Sequence, residues 1–149
     1  MKRMLMMFLV LAMATPALAQ FGGVVQTAHD GLFTTYTLYS SGNITKHGLF
    51  GREELVDNGT GTRMIAAGSG QLFCLKDNGN IWMWRGGMSW IQADNGTGTS
   101  EIWVRGGQCW CRKNNGQVWA CVNPYNMKWQ PMSGPAMTRT VNFEKLYGE

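Results

Sequence analysis

Short apolar runs separated by glycine-rich turns make up much of the chain. In the clearest stretch they predict four short strands, at 63–67, 71–76, 80–84 and 88–92. Asn78-Gly79, between the second and third runs, favours a hairpin turn because both residues tolerate a positive φ. No window of helical length shows a period of 3.6 residues, and glycine is too frequent for long helices. We therefore expect an all-β fold.

One unit recurs along the chain at a spacing of 37 residues, the distance from Asp57 to Asp94. The hexapeptide at 57–62 returns letter for letter at 94–99. Four short strands in a unit of this size are typical of a propeller blade. We predict β-propeller-like repeats of four short antiparallel strands, in about three blades. The units cover about 22–62, 63–99 and 100–136, followed by a C-terminal tail strand at 137–149.

Two units share a longer motif. An apolar run precedes a glycine-rich break at 65–70 and again at 102–107. An aromatic strand, an Asn-Gly hairpin, an Ile-Trp or Val-Trp pair and a later tryptophan (Trp90 or Trp129) follow. Over about residues 28–134 the pattern resembles the tectonin, or tachylectin-2-like, β-propeller repeat. This resemblance implies sugar-binding sites formed by loops and aromatic side chains on or between blades.

The first and third units depart from that motif. Thr45 stands where the second unit has Trp82, and Pro124-Tyr125 is an insertion in the third unit. Single-chain propellers have about four to eight blades, so three would leave sheet edges unpaired. Either the tail at 138–143 pairs with the N-terminal unit, or two chains associate so that six blades close one ring. We favour the second arrangement, a homodimer.

The tryptophans are the first candidate binding residues, and all seven lie between Trp82 and Trp129. One interpretation is packing between blades, because Trp82 and Trp119 share a column of the repeat. The other is sugar stacking, in which a pyranose presents its apolar C–H face to an indole. The better candidates for stacking lie beside glycine-rich loops or outside the paired columns: Trp84, Trp90, Trp103 and Trp129.

The repeated hexapeptide loops are the second candidate. Aspartate and glycine at these positions suit a turn, since aspartate bonds to nearby backbone and glycine supplies a positive φ. The functional interpretation gives a ligand polar contacts at two equivalent sites, from Asp57, Thr60, Asp94 and Thr97. One carboxylate per loop is too few for Ca²⁺, so we assign no metal.

The N-terminus has the three parts of a secretory signal peptide. Lys2-Arg3 precedes an apolar run, and small residues follow at Ala17 and Ala19. We predict a signal peptide at 1–19, a secreted or periplasmic mature domain at 20–149, and no membrane span in it. Removing Lys2 and Arg3 lowers the basic count from 13 to 11 against 9 acidic residues, so the net charge falls from +4 to +2. The remaining cations form no sequence cluster, which disfavours nucleic acid as a partner.

An exported chain meets oxidising conditions, so disulfides are expected among its four cysteines. A three-residue hairpin loop at 114–116 would place Cys109 opposite Cys121, which favours that disulfide. A two-residue loop would face Cys121 to Trp110 instead. A zinc site formed by the four cysteines is the alternative, although Cys-x-Cys spacing is unusual for zinc. The sequence positions are Cys74, Cys109, Cys111 and Cys121.

Catalysis has little support in the sequence. His29 and His47 are the only histidines, and neither belongs to a nucleophile motif. Glu53-Glu54 is the sole acidic cluster, and adjacent residues of a strand point to opposite faces. We therefore predict no enzyme and no cofactor. The first hypothesis is a secreted, lectin-like carbohydrate-binding protein whose partner is a glycan or cell-surface polysaccharide. The alternative is a secreted protein-binding or inhibitory module, and a third is a small polysaccharide hydrolase.

Overall fold

The computed structural model describes residues 21–59, 61–96 and 98–132, which form three four-stranded antiparallel sheets. The first sheet, blade 1, contains β1 (Val24–Asp30), β2 (Thr34–Tyr39), β3 (Ile44–Gly48) and β4 (Glu54–Asp57). Blade 2 contains β5 (Thr62–Gly68), β6 (Gln71–Lys76), β7 (Ile81–Gly86) and β8 (Ser89–Asp94). Blade 3 contains β9 (Thr99–Arg105), β10 (Gln108–Lys113), β11 (Val118–Asn123) and β12 (Lys128–Met132), with a 3₁₀ turn at Pro124–Asn126.

Each blade is a meander in which strands adjacent in sequence are hydrogen-bonded neighbours. The first strands of the three blades, β1, β5 and β9, pack side by side. The prediction of an all-β fold built from four-stranded propeller-like units is therefore confirmed. The predicted signal peptide at 1–19 and the tail strand at 137–149 lie outside the described residues. No helix in the described ranges is long and apolar enough to cross a membrane.

The core consists of two apolar layers, one on each side of blade 2. Residues 72–75 of β6 are all buried because successive side chains of a strand alternate between faces and both faces are covered. Leu72 and Cys74 pack against blade 1, whereas Phe73 and Leu75 pack against blade 3. The central blade is thus a sheet with two buried faces, and it holds the other two blades in place.

The two ends of each blade differ. The turns after the first and third strands lie at one end, which we call the hairpin end. There the Gly70 N–H donates to Asp30 Oδ1 at 3.0 Å and joins two neighbouring blades. The turns after the second strands, and the loops that join blades, lie at the other end, which we call the loop end. There the Asp77 N–H donates to the Gly61 carbonyl at 2.7 Å.

The outward face of blade 1 is polar. Cross-strand pairing places two rows on this face, Thr27–Thr37–Thr45 and His29–Thr35–His47. The corresponding face of blade 2 carries apolar residues that include Leu72 and Cys74. Within the described residues, blade 2 packs on the opposite, apolar face of blade 1.

The outward face of blade 3 is also unlike the inner layers, since Trp110 and Arg112 lie on it in place of Phe73 and Leu75. A ring of two chains would bring this face against the Thr/His face of blade 1. Self-association stays a prediction, and it would form an interface unlike the two within the chain.

Candidate ligand-binding clefts between blades

Two clefts open beside the junctions between blades. The first has a volume of about 350 Å³ and is lined by Gly61, Lys76, Asp77, Asn78 and Trp82. The second has a volume of about 300 Å³ and is lined by Asp94, Lys113, Trp119, Met127 and Trp129. Each cleft therefore combines a lysine with a tryptophan from the same columns of the repeat. The 37-residue period produces two related sites.

A lysine of one blade binds the last residue of the preceding blade beside the first cleft. Lys76 Nζ lies 2.9 Å from Asp57 Oδ2 and donates to Thr62 Oγ1 at 2.6 Å. The other carboxylate oxygen, Asp57 Oδ1, accepts the Gly59 N–H at 2.9 Å. Both charged side chains are largely buried, with 19% of Lys76 and 13% of Asp57 exposed. We call this Lys–Asp–Thr arrangement the clasp.

The second cleft has the same clasp. Lys113 Nζ lies 3.0 Å from Asp94 Oδ2 and donates to Thr99 Oγ1 at 2.8 Å, while the Gly96 N–H donates to Asp94 Oδ1 at 3.0 Å. A Cβ on Gly96 would lie 3.0 Å from Lys113 Nζ and 3.1 Å from both Asp94 carboxylate oxygens, so a larger residue there would have to displace the clasp slightly. The hexapeptide thus repeats letter for letter partly because this junction is built twice.

The clasp uses both oxygens of each predicted aspartate within the protein. Asp57 and Asp94 hold the loops and the lysines, so any contact with a ligand competes with these bonds. Thr60 and Thr97, the other two predicted loop contacts, lie outside the described residues. Lysine has three N–H donors. Among the described residues the clasp uses two of them. Both lysines also line their clefts.

Trp90 and Trp129 join neighbouring blades. The Trp90 Nε1–H donates to the Val56 carbonyl, and the Trp129 Nε1–H donates to the Ala93 carbonyl, both at 2.8 Å. Each indole also packs against the apolar layer of its junction. The structure therefore gives both predicted sugar-stacking residues a packing role, although Trp129 also lines the second cleft.

Trp84 lies at the junction of blades 1 and 2. Its indole meets the Tyr36 ring edge-on at 6.1 Å, and Lys46 Nζ lies 5.2 Å from its centroid. Its Nε1–H donates to the Gly87 carbonyl at 2.9 Å. Trp84 lines neither of the two clefts.

Trp103 lies elsewhere, on the outward face of blade 3. Its ring stacks on Trp110 with centroids 6.4 Å apart and an interplanar angle of 14°. The Arg112 guanidinium lies 5.9 Å from the Trp103 centroid. Of the four predicted stacking tryptophans, only Trp129 meets a predicted aspartate, Asp94, at a described cleft.

Trp82 and Trp119 line the clefts, although the repeat column favoured packing for both. Both are half-buried, and the buried Trp119 Nε1–H has no hydrogen-bond partner within the described residues. Each tryptophan lies three residues after the glycine of an Asn-Gly turn. This spacing places an indole near the loop end and is the sequence signal for a cleft position. A tryptophan can serve the core and a cleft together because one ring has two faces and an edge.

The cysteines form no disulfide within the described residues, so the expected Cys109–Cys121 disulfide is not present. The hairpin does have the register of the three-residue loop, because Trp110 pairs with Ala120 and the Lys113 N–H donates to the Gln117 carbonyl. Cys109 instead packs as a free thiol in the apolar layer, with its Sγ 3.8 Å from the Trp110 carbonyl. No group of three or more metal-binding side chains occurs among the residues described.

Burial raises the pKa of these thiols, to about 12 for Cys74 and to about 11 for Cys111 and Cys121. The folded protein therefore keeps protons that the unfolded chain loses above the ordinary thiol pKa of 9.0. We expect the free energy of unfolding to fall as the pH rises from 9 towards 11–12. The slope should be about 1.4 kcal/mol per pH unit for each affected thiol.

Urea titrations on both sides of this pH range test the expectation. The Cys74→Ala variant should show a shallower decline, because it lacks one buried thiol. An equal slope in the variant and in the parent would contradict the assignment to Cys74.

No family model matches the chain, and no curated protein matches it. Solved structures do resemble it, including these two. The crystal structure of human WBSCR16 has a TM-score of 0.53 and 14% identity, covering 66% of this chain and 33% of that one. YCF48 bound to D1 peptide has a TM-score of 0.57 and 13% identity, covering 74% of this chain and 41% of that one.

Both of these structures are propeller-type folds. The chain has a β-propeller fold. It spans less than half the length of either neighbour, and the three blades therefore correspond to an arc of each longer propeller.

Proposed function

We propose that this protein is a non-catalytic, secreted, lectin-like module of the tectonin type, which binds carbohydrate in the two clefts beside the junctions of its blades. The observation that carries the proposal is the repeated cleft, in which an indole and a clasped lysine stand together twice. A packing requirement alone explains the clasp and the tryptophans. Packing alone does not require that a cleft lined by a lysine and a tryptophan be open at both junctions.

The chemistry of the clefts suits a sugar. Trp82 and Trp119 offer apolar ring surface to the C–H face of a pyranose. In the first cleft the Asp77 carboxylate and the Asn78 amide accept from and donate to hydroxyl groups, and Lys76 adds a donor. Volumes of about 300–350 Å³ lie at the small end of ligand pockets, which favours one or two sugar rings.

The clasp makes each lysine a preorganised donor. A free lysine loses rotamer freedom when it binds a ligand, whereas Lys76 and Lys113 are already held by an aspartate and a threonine. In this proposal Asp57 and Asp94 are positioning residues that act through the lysines. This role differs from the direct ligand contacts that the sequence suggested.

A hydrolytic role is less well supported. Glu53 Oε1 accepts hydrogen bonds from Tyr39 Oη at 2.8 Å and from Thr45 Oγ1 at 2.6 Å. Neither Glu53 nor Glu54 lines either of the two clefts. A glycosidase needs two carboxyl groups that flank one bond, and these two residues do not meet that need at either site.

Alanine at Trp82 or Trp119 should weaken sugar binding at the corresponding cleft by about tenfold or more, since each loses a stacking surface of about 1.5 kcal/mol. A glycan array on the refolded mature chain first identifies the sugar, and calorimetry then counts the sites. Each single variant should leave one site at the parent affinity and weaken the other. Trp103→Ala is the matched control, because that ring lies on the outward face of blade 3.

Two results would contradict the proposal. One is an array with no binding above background. The other is a sugar whose affinity and stoichiometry are the same in Trp82→Ala, Trp119→Ala and the parent protein. Circular dichroism of each variant checks that the fold is retained, so that lost binding is assigned to the cleft.

A second candidate function is binding of a protein segment on the outward face of blade 3. The stacked pair of Trp103 and Trp110, with Arg112 beside it, is favoured by the enrichment of tryptophan and arginine at protein interfaces. The structural neighbour YCF48 is itself bound to a peptide. Capture of a partner from the secreted fraction, abolished by Trp103→Ala and unaffected by Trp82→Ala, would favour this function over sugar binding.

A further inference from the structure

The hairpin end carries most of the exposed large apolar side chains. The tripeptide Gly-Leu-Phe occurs twice, at 31–33 and at 48–50, and both copies form turns of blade 1. Their side chains protrude into solvent, with exposed fractions of 89% for Leu32, 59% for Phe33, 53% for Leu49 and 96% for Phe50. Turn residues are usually polar or glycine, so four exposed apolar side chains at two tips require an explanation.

The two tips form one patch. Thr34 follows the first tripeptide and Gly48 begins the second, and these residues are direct cross-strand partners. The tips therefore lie side by side at the same edge of the molecule. No charged side chain occurs within either tripeptide. Two further exposed side chains lie in hairpin-end turns of the other blades, Met88 at 50% exposure and Tyr125 at 65%.

Exposed cations lie at the hairpin end as well. Four of them lie in or beside turns of the hairpin end and are exposed: Arg52, Arg85, Arg105 and Lys128. The Arg85 guanidinium lies 4.8 Å from the Tyr125 ring centroid, so a cation and an aromatic ring meet there.

The acidic groups near the hairpin end are fewer. They are Asp30, Glu53 and Glu54, and the two glutamates are exposed. Asp30 and Glu53 also accept hydrogen bonds from the protein. Asp57 and Asp94 are paired with lysines at the loop end. The two ends of the arc therefore differ in both hydropathy and charge.

We propose that the hairpin end docks on an anionic lipid bilayer. Leu32, Phe33, Leu49 and Phe50 enter the boundary between headgroups and acyl chains, and the arginines and the lysine bind lipid phosphates. Apolar tips beside cations are the combination that binds proteins to a membrane interface without spanning it. Tyr125 suits the same depth, since aromatic rings with a polar end are enriched at that boundary.

The shape of the surface favours lipid over a protein partner. The tips protrude from turns and line neither of the two clefts described above, whereas a helix or strand of a protein partner binds in a groove or at a sheet edge. A bilayer accepts separate protruding side chains, because its headgroup region rearranges around them. Turn backbone groups stay at the hydrated level, where water satisfies their hydrogen bonds.

This docking mode leaves the loop end facing away from the membrane. The clasps and the loop-end walls of both clefts would then point into the surrounding solution. The inference does not rest on the carbohydrate proposal, since it uses different residues at the other end of the blades. A failure of either proposal leaves the other standing.

Co-sedimentation with vesicles tests the inference. Vesicles of phosphatidylglycerol and phosphatidylcholine should bind the mature chain, and pure phosphatidylcholine vesicles should bind it several-fold more weakly. The double variant Leu32→Ser/Phe50→Ser should lower the partition coefficient by about tenfold or more, because two large apolar side chains lose a buried environment. Arg85→Gln/Arg105→Gln should weaken binding and reduce its dependence on salt concentration.

Val25→Ser is the matched control for the apolar variant, since Val25 is 56% exposed near the start of β1, at the opposite end. It should bind vesicles like the parent. Equal loss in Val25→Ser, or unchanged binding in the tip variant, would overturn the proposal. Failure of the parent chain to bind any vesicles would also overturn it. That result would stand even if the tips were then found to bind a protein.

Discussion

Replacing Trp129 with alanine is expected to lower the free energy of unfolding by about 3 kcal/mol. The change removes an indole from the apolar layer between blades 2 and 3 and leaves a cavity. It also leaves the Ala93 carbonyl without its donor, and Ala93 is fully buried. Trp90→Ala should cost a similar amount at the other junction, where the Val56 carbonyl loses the same partner.

Phenylalanine at Trp129 separates the two contributions. Trp129→Phe keeps most of the ring packing and loses the N–H donor, so it should cost about 1 kcal/mol. Urea denaturation followed by circular dichroism measures all three variants. Trp103→Ala is the control, because Trp103 lies on an outward face and has no bond to another blade. If Trp129→Ala left stability unchanged and altered only sugar binding, the indole would be a platform and its packing role would be refuted.

Replacing Asp94 with alanine is expected to lower the free energy of unfolding by about 2 kcal/mol. Its carboxylate holds Lys113 and the Gly96 N–H, and both the lysine and the aspartate are largely buried. Breaking a buried pair by removal of one partner costs about 3–5 kcal/mol. The smaller figure applies here because Lys113 keeps its bond to Thr99 and retains some contact with water.

Asp77 provides the comparison for this prediction. It is exposed and lies in a turn at the same end of the molecule, so Asp77→Ala should change stability by less than about 0.5 kcal/mol. Asp94→Asn keeps an acceptor for Gly96 and loses the charge, and it should fall between the two. Equal effects of Asp77→Ala and Asp94→Ala would show that the clasp contributes nothing beyond ordinary turn chemistry.

The role of the hexapeptide loops depends on a residue that is distant in the sequence. Exact repetition makes the hexapeptide visible in the sequence. Its Asx turn depends only on the local residues Asp-Asn-Gly. Its lysine partner stands 19 positions later in the next blade, with no motif to connect the two. The sequence alone therefore predicts two carboxylates that are free to bind a ligand, whereas in the folded chain both are bound to a lysine and to a backbone N–H.

The tryptophans also show that a position in the repeat does not determine the role of a side chain. Trp90 and Trp129 were chosen for binding because they fall outside the paired columns of the repeat. Both donate to equivalent carbonyls, those of Val56 and Ala93, which keep the 37-residue spacing. The two-residue insertion at 124–125 lengthens the spacing between the indoles themselves. Trp82 and Trp119 share a column of the repeat, which favours packing, and they nevertheless line the clefts. A shared column of the repeat shows that two residues occupy equivalent positions in their blades. It does not show whether they are exposed, because exposure depends on how the neighbouring blade packs against them.

The sequence alone determined the all-β class, the four-stranded unit, the 37-residue period and the difference between the first unit and the other two. These features depend on turn residues and on alternation within a strand, which act over a few positions. The tertiary structure alone decided which face of each strand meets a neighbour, and with it the clasps, the two clefts, the free thiols and the apolar tips beside cations at one end. Each of these depends on contacts between residues far apart in the chain, and the apolar-polar pattern does not specify which blade face lies against which.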